Sequence, residues 1–190
     1  MAVSSRWLAG MIAVLMMGFT LSACSTGGDE PEPLNAPSGP ATLGLASTAF
    51  SDGGALPSRY TCDGVGVSPP LTWSESKPAQ EFVLLVTDPD APGRTFVHWV
   101  IYAIAANAES IGEGQGPAGA RQGVNDFGGR GYGAPCPPPG DHAHRYVFTM
   151  YALSAARTRG IQAGATAATV LKAIRCCIQE QGTITGTYRR

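Results

Sequence analysis

Apolar residues occur in runs along the chain that are typical of β-strands. Residues Phe82–Val86 form an uninterrupted apolar run that ends in the turn sequence DPDAP. Such a run predicts a central strand that is covered on both faces. A second run, Thr95–Ile104, is rich in aromatic and β-branched residues, and Arg145–Leu153 is a third. Residues Ile184–Tyr188 predict a short C-terminal strand.

One segment, Thr166–Glu180, has the periodicity of an amphipathic helix, and Gly182 follows it as a stop signal. Its apolar face consists of Val170, Leu171, Ile174, Cys177 and Ile178. Residues 105–144, between the second and third strands, are dense in Gly and Pro. Loops of this length are usually functional or disordered. The pattern as a whole predicts a mainly β domain with one or two helices.

The first residues do not belong to this domain. Arg6 precedes the uncharged apolar run Trp7–Leu21, which is shorter than the roughly 20 residues of a membrane-spanning helix but suits a secretory signal peptide. The run leads into LSAC at residues 21–24, which resembles the lipobox of bacterial lipoproteins. There a signal peptidase cuts before the cysteine, and the cysteine is acylated with fatty acids such as palmitate. An ordinary signal peptide with an incidental Cys24 is the alternative.

These features divide the chain into three parts: a lipoprotein signal peptide at 1–23, a flexible Pro/Gly-rich tether at 24–42, and one folded domain at 43–190. We therefore expect an exported protein that is lipid-anchored to a bacterial membrane in the cell envelope. The full chain has a formal net charge of −1, and no block of basic residues occurs in it. Nucleic acid is thus not an expected partner.

Four cysteines remain in the expected domain, and an exported compartment permits disulfides. A bond between Cys62 and Cys136 would join two loops rich in Pro and Gly. A bond between the neighbours Cys176 and Cys177 is disfavoured as the main pairing, because adjacent residues rarely reach disulfide geometry without strain. Buried, unpaired thiols are the alternative to the Cys62–Cys136 bond.

Polar residues stand at the ends of the predicted strands. Asp88 follows the first strand, His98 interrupts the second, and His144 and Tyr146 share one face of the third. A carboxylate that fixes a histidine tautomer, together with a phenol and loop amides, suits the binding of a phosphate or carboxylate. Each residue also has a simpler explanation: a turn for Asp88 and Asp90, and core packing for His98 and Tyr146. The loop residue His142 is expected to be solvated.

The same motifs carry a resemblance to a known family. The segments are DPDAP at 88–92, HWV at 98–100, GYGAPCPPPGDHAHRY at 131–146, YTCDGVGVSPPLTW at 60–73 and the terminal GTITGTY. In this order they resemble the phosphatidylethanolamine-binding protein (PEBP) family, and within it the bacterial Raf-kinase-inhibitor-like proteins. The resemblance covers the expected domain. Ala134 replaces the glycine that is usual in the family's loop, and His142 is not a family pocket position.

The resemblance implies a mainly β fold of two antiparallel sheets with peripheral helices and an anion pocket at the strand ends. It assigns the ligand-binding roles to Asp88, Asp90, His98, His144 and Tyr146. Family pockets accept the phosphoryl groups of phospholipid heads or small anions such as acetate and phosphate. Some members inhibit kinases or serine proteases, but an exported protein would rarely meet cytoplasmic kinases.

The expected function is therefore that of a binding module, without enzymatic activity or cofactor, that captures a small anion or a phospholipid headgroup. One alternative is a protease-inhibitor-like protein or another module that binds a protein partner. Another is a hydrolase, with a metal held by histidines and nearby acids or with Cys136 as the nucleophile. No metal is expected, because His142 and His144 do not form an HExxH motif. A G-x-S-x-G elbow is also missing from the sequence.

Overall fold

The computed structural model describes residue 1, residues 34–76 and residues 79–190. The apolar run Trp7–Leu21 and the expected lipidation site Cys24 lie outside these residues. Within the described ranges, no helix combines the length and the hydrophobicity needed to cross a membrane.

The described residues form two antiparallel sheets and one α-helix, which confirms the expected mainly β fold. The larger sheet has the strand order β6–β4–β3–β7–β8, and the smaller has the order β1–β2–β5. A single 3₁₀ turn covers Ser58–Tyr60, and the helix α1 covers Ala167–Ile174. The strands are β1 Leu45–Ala46, β2 Leu71–Trp73, β3 Glu81–Asp88, β4 Phe96–Ala105, β5 Ser110–Ile111, β6 Arg121–Gln122, β7 His144–Leu153 and β8 Ile178–Tyr188.

Strand β3 lies at the centre of the larger sheet and is covered on both faces. Phe82, Leu84 and Val86 pack in a cluster with residues of the smaller sheet. Val83 and Leu85 point to the opposite face and pack in a cluster with residues of α1. The molecule thus has three layers, with the larger sheet between the smaller sheet and the helix. This arrangement explains the uninterrupted apolar run, since burial of each such side chain stabilises the fold by about 1.5–3 kcal/mol.

The helix is shorter than the sequence pattern predicts. Thr166 caps its N-terminus by accepting a hydrogen bond from the Thr169 amide, but α1 ends at Ile174. The prediction that the helix continues to Glu180 is wrong, because Ile178 begins β8 and is paired with Leu153 of β7. The apolar spacing of these residues comes from a strand that lies against the core. The expected stop signal Gly182 therefore lies inside β8.

Part of the segment assigned to the tether contacts the folded domain. The amide of Gly39 donates to Oε1 of Gln181 over 3.0 Å, and the Gln181 amide donates to the carbonyl of Pro40 over 2.8 Å. The guanidinium of Arg175 donates to the carbonyl of Asn35. In the structure, the chain is thus attached to β8 some residues before Leu43.

A disulfide with an S–S distance of 2.03 Å joins Cys62 to Cys136. The Cys62 amide donates to the carbonyl of Pro135 over 3.0 Å, and the hydroxyl of Tyr132 donates to the carbonyl of Tyr60 over 2.9 Å. These contacts fix the Pro-rich loop that precedes β7 to the segment around the 3₁₀ turn. A second disulfide joins the neighbouring Cys176 and Cys177.

Removal of the Cys62–Cys136 disulfide should destabilise the domain. The bond spans 74 residues, and closing a loop of this length destabilises the unfolded chain by up to about 4.5 kcal/mol in the chain-entropy description. We expect the Cys62→Ser/Cys136→Ser variant to lose about 2–4 kcal/mol of unfolding free energy in urea titrations. The matched control is Cys176→Ala, which breaks a bond that closes almost no chain, leaves the buried Cys177 side chain in place and should cost much less. Equal losses in the double variant and in this control would contradict this account.

Candidate functional site

The end of β3 and the beginnings of β4 and β7 meet at one end of the larger sheet, beside the Pro-rich loop. They surround a cavity of about 190 Å³. Four polar side chains line it: Asp88, His98, His144 and Tyr146. Each is buried, with 3% or less of its surface exposed. The remaining lining is mostly apolar and consists of Ala91, Pro92, Phe96, Phe127, Cys136, Pro137 and Pro138.

Asp88 and His144 form a buried hydrogen bond of 2.7 Å between Oδ2 and Nδ1. Because the carboxylate oxygen accepts, Nδ1 of His144 carries the proton and donates it. The other carboxylate oxygen, Oδ1, accepts from the Asp90 amide over 2.9 Å. Asp88 therefore shapes the turn after β3 with one carboxylate oxygen and fixes the tautomer of His144 with the other. The turn role and the tautomer role that the sequence suggested are compatible in one side chain.

The protonation of His144 depends on these carboxylates. Burial alone would lower the pKa of His144, but the hydrogen bond and charge of Asp88, with a smaller contribution from Asp141, outweigh burial. The pKa of His144 is therefore raised above its ordinary value.

His98 is held by the loop instead of by an acid. Its Nδ1 lies 2.7 Å from the carbonyl oxygen of Gly133, and the Gly133 amide donates to the His98 carbonyl over 2.8 Å. A carbonyl only accepts, so Nδ1 of His98 is protonated. Burial lowers the pKa of His98. At neutral pH the ring is thus uncharged, and its Nε2 offers a lone pair.

A β-bulge accompanies the position of His98. Thr87 pairs with Val97, whereas Val86 pairs with Trp99, so that β4 carries one additional residue at His98. Bulges of this kind redirect a side chain next to functional sites. The ring of His98 packs edge-on against Tyr146, with 5.2 Å between the ring centroids.

Tyr146 lies on β7, two residues after His144, and is fully buried. Burial, followed by the charge of Asp88, raises the pKa of its hydroxyl, which therefore stays protonated at neutral pH. Within the described part of the chain, neither the Tyr146 hydroxyl nor Nε2 of His144 has a hydrogen-bond partner. Buried polar atoms without a partner are rare in folded proteins. Two such atoms, the Tyr146 hydroxyl and Nε2 of His144, belong to neighbouring residues of this cavity.

Asp90 is placed differently from the other four predicted site residues. Its carboxylate accepts from the amide, Nε and Nη2 of Arg145 over 2.9, 2.8 and 2.6 Å, and Asp90 does not line the cavity. The hydrogen bond from the Arg145 side chain lowers the pKa of Asp90 to about 2. Asp90 therefore has a structural role, because its contacts with Arg145 tie the turn after β3 to the beginning of β7.

His142 lies outside the cavity lining, and 65% of its side chain is exposed. Its Nδ1 is 2.8 Å from Oδ1 of Asp141. The Asp141 carboxylate also approaches Nε2 of His144, at 3.5 Å from Oδ2. The loop thus places a second acid close to His144, on the other side of the ring from Asp88.

Sequence reasoning did not identify several residues of the site. Gly133 acts through its backbone, and a Cβ there would contact the Phe127 ring. Phe127 forms part of the cavity wall, remains 57% exposed, and packs edge-on against His98. An aromatic residue within the Gly-rich stretch DFGGRGYG was the available signal for Phe127.

The cysteine that the sequence offered as a nucleophile lines this cavity. Among the described residues of the cavity, the sulfur of Cys136 is bonded to Cys62 and is not free to act as a nucleophile. The fold and the cavity together define a small β-sheet binding domain with a polar pocket at its strand ends.

The comparisons with known proteins agree with this class. The family described as phosphatidylethanolamine-binding protein matches residues 46–189. The chain belongs to that family, which confirms the expectation from the motifs. It is 41% identical to Putative lipoprotein LppC of Mycobacterium tuberculosis over 146 residues, covering 77% of this chain and 72% of the relative.

Two solved structures share the fold. CT736 from Chlamydia trachomatis is 37% identical with a TM-score of 0.73, and the alignment covers 80% of this chain and 99% of CT736. YbcL of E. coli, described as a member of the mammalian PEBP family, is 31% identical with a TM-score of 0.73, covering 79% and 99%.

Replacement of Asp88 should lower the pKa of His144. We expect Asp88→Asn, which removes the carboxylate charge, to bring the pKa of His144 down in an NMR titration of the histidine ring protons with chelator present. Because the folded-state pKa is raised, His144 contributes stability that is fully present below about pH 6.5 and is lost as the pH rises through the folded-state pKa. Glu109→Gln, at an exposed acid, is the control. An unchanged His144 titration in Asp88→Asn would contradict the role of Asp88.

Proposed function

We propose that this protein is a lipid-anchored binding protein of the cell envelope that captures a small anionic group in the cavity. The group is phosphorylated or carboxylated, and the phosphoryl group of a phospholipid head is one source of it. The proposal rests on one observation above others: among the described residues, neither the Tyr146 hydroxyl nor Nε2 of His144 forms a hydrogen bond, and both are buried at the same cavity. Oxygens of a bound anion would accept from the Tyr146 hydroxyl and, when His144 is protonated, from its Nε2.

The size of the cavity supports a small ligand. A volume of about 190 Å³ is below the roughly 300–1,000 Å³ of pockets that enclose drug-sized molecules. A phosphoryl or carboxylate group fits this scale, whereas an entire lipid does not. Phe127, Pro137 and Pro138 offer an apolar wall to whatever substituent the group carries.

The histidines differ in what they offer such a ligand. Nδ1 of His98 donates to Gly133, so the neutral ring presents only an acceptor at Nε2. A phosphate monoester that retains one proton could donate to this nitrogen while its other oxygens accept from Tyr146 and His144. An ionised carboxylate has no proton to donate, and neither has the phosphodiester of an intact phospholipid head, so such a diester would use only the contacts with Tyr146 and His144. Tighter binding of monoprotonated phosphate than of acetate therefore follows from the proposal.

The location is supported by the sequence and by one relative. Residues 21–24 read LSAC, and LppC, which shares 41% identity with this chain, is named as a lipoprotein. The expected domain and tether would then lie outside the cytoplasm, where the Cys62–Cys136 disulfide can persist.

Removal of the Tyr146 hydroxyl should weaken anion binding. A hydrogen bond to a charged group contributes about 1.5–3 kcal/mol, so we expect Tyr146→Phe to bind inorganic phosphate roughly 10- to 150-fold more weakly by isothermal titration calorimetry. Tyr151→Phe is the matched control, because Tyr151 lies on the same strand but packs in the cluster on the helix face.

Three probes separate the sources of the anion: inorganic phosphate, phosphoethanolamine, and acetate. Stronger binding of phosphoethanolamine than of phosphate would indicate that the ethanolamine portion of a headgroup is recognised. The absence of binding by all three, or equal phosphate affinities in Tyr146→Phe and the unaltered protein, would overturn the proposal.

The lipid anchor has a separate test. In a bacterial host, Cys24→Ser should abolish incorporation of labelled palmitate and release the protein from the membrane fraction, because the acylated sulfur is missing. Ser22→Ala, two residues before the cysteine, is the control and should leave labelling in place. Membrane association and labelling that persist in Cys24→Ser would show that Cys24 is not the acylated residue.

A further inference from the structure

Three side chains with metal-binding atoms meet where the Pro-rich loop enters β7. They are Asp141, His142 and His144, and one nitrogen or oxygen from each lies within 4.8 Å of the others. Zinc binds such atoms at about 2.0–2.2 Å with tetrahedral geometry, which separates neighbouring ligand atoms by roughly 3.4 Å. The distance of 3.5 Å between Nε2 of His144 and Oδ2 of Asp141 is close to that value.

The second observation concerns Nε2 of His144, which is buried and has no hydrogen-bond partner among the described residues. Nδ1 of the same ring donates to Oδ2 of Asp88 over 2.7 Å. Metal-binding histidines commonly donate their other ring nitrogen to a carboxylate, which fixes the tautomer and directs the lone pair to the metal. The contact between Asp88 and His144 has this arrangement.

His142 completes the group from the solvent side. Its ring lies 5.1 Å from the ring of His144 between centroids, and its Nδ1 is 2.8 Å from Oδ1 of Asp141. The side chain is largely exposed and can adjust without disturbing the core. A spacing of two residues near the start of a strand brings both imidazoles to one side of the chain.

We propose that Asp141, His142 and His144 form a binding site for a divalent transition-metal ion such as zinc. Two imidazoles with one carboxylate suit Zn²⁺, Ni²⁺ or Cu²⁺, whereas Mg²⁺ and Ca²⁺ prefer ligand sets made only of oxygen. Three protein ligands leave a fourth tetrahedral position for water or an external ligand. This site shares His144 with the proposed anion cavity, so a metal ion and a proton compete for Nε2 of that residue. It is not part of the family resemblance, in which His142 has no role.

The test is titration of the untagged protein with Zn²⁺ by isothermal titration calorimetry, in a buffer free of phosphate and acetate. We expect one bound Zn²⁺ per chain, with no heat from Mg²⁺ or Ca²⁺ under the same conditions. His142→Ala and Asp141→Asn should each weaken Zn²⁺ binding, and the loss should exceed about 10-fold, because even residues that only support a ligand contribute 10- to 100-fold. Both side chains are exposed enough for the variants to fold, which circular dichroism would verify.

Glu109→Gln, which removes an exposed acid away from the cluster, is the charge-matched control and should retain the affinity of the unaltered protein. Cys24 is unchanged in every variant, so zinc held by its sulfur in protein that is not acylated would not differ between them. Zinc affinity that is equal in His142→Ala, Asp141→Asn and the control would overturn the site, as would the absence of bound zinc. In that case Asp141 serves only as an ion-pair partner of the two histidines.

Discussion

The hydrogen bond between Nδ1 of His144 and Oδ2 of Asp88 is the contact on which the cavity depends. It joins the end of β3 to the beginning of β7, the adjacent central strand, and both groups are buried. A buried carboxylate or imidazole without a partner is strongly unfavourable, so each residue is tolerated in the core because the other is present. The same bond decides which nitrogen of His144 remains for a ligand.

On the other side of the cavity, the position of His98 depends on hydrogen bonds with the backbone. Gly133 exchanges two hydrogen bonds with His98, one to the ring and one to the main chain. The loop therefore positions this histidine in the same way as Asp88 positions the other, but without a charge. His144 lies next to an acid and His98 lies next to a carbonyl, so the two rings differ in protonation although they line the same cavity. The cavity therefore offers both a hydrogen-bond donor and a hydrogen-bond acceptor.

Strands β3, β4 and β7 and the polar residues that line the cavity could be predicted from the sequence, because they depend on local patterns. The short strands β1, β2, β5 and β6 could not, because two or three residues are too few to show a periodicity. The run Phe82–Val86 is apolar at every position because layers cover both of its faces. The end of the helix could not be predicted, since Ile178 continues the helical spacing while its partner in the sheet lies far away in sequence. The roles of Asp88 and Asp90 were also indistinguishable, because only the fold shows that Arg145 takes one of the two acids. Gly133 acts through its carbonyl and leaves no signal in side-chain chemistry.

The participation of Cys136 in the cavity wall links the shape of the cavity to the oxidation state of the chain. The same residue forms the disulfide with Cys62, and the loop that carries Pro137 and Pro138 is tied to the rest of the domain there. A reduced chain retains the contact between Asp88 and His144 but loses the covalent tie of the facing wall. The final shape of the cavity therefore depends on the Cys62–Cys136 bond. Without that bond, the facing wall would be held only by non-covalent contacts, among them the hydrogen bond from the Cys62 amide to the carbonyl of Pro135.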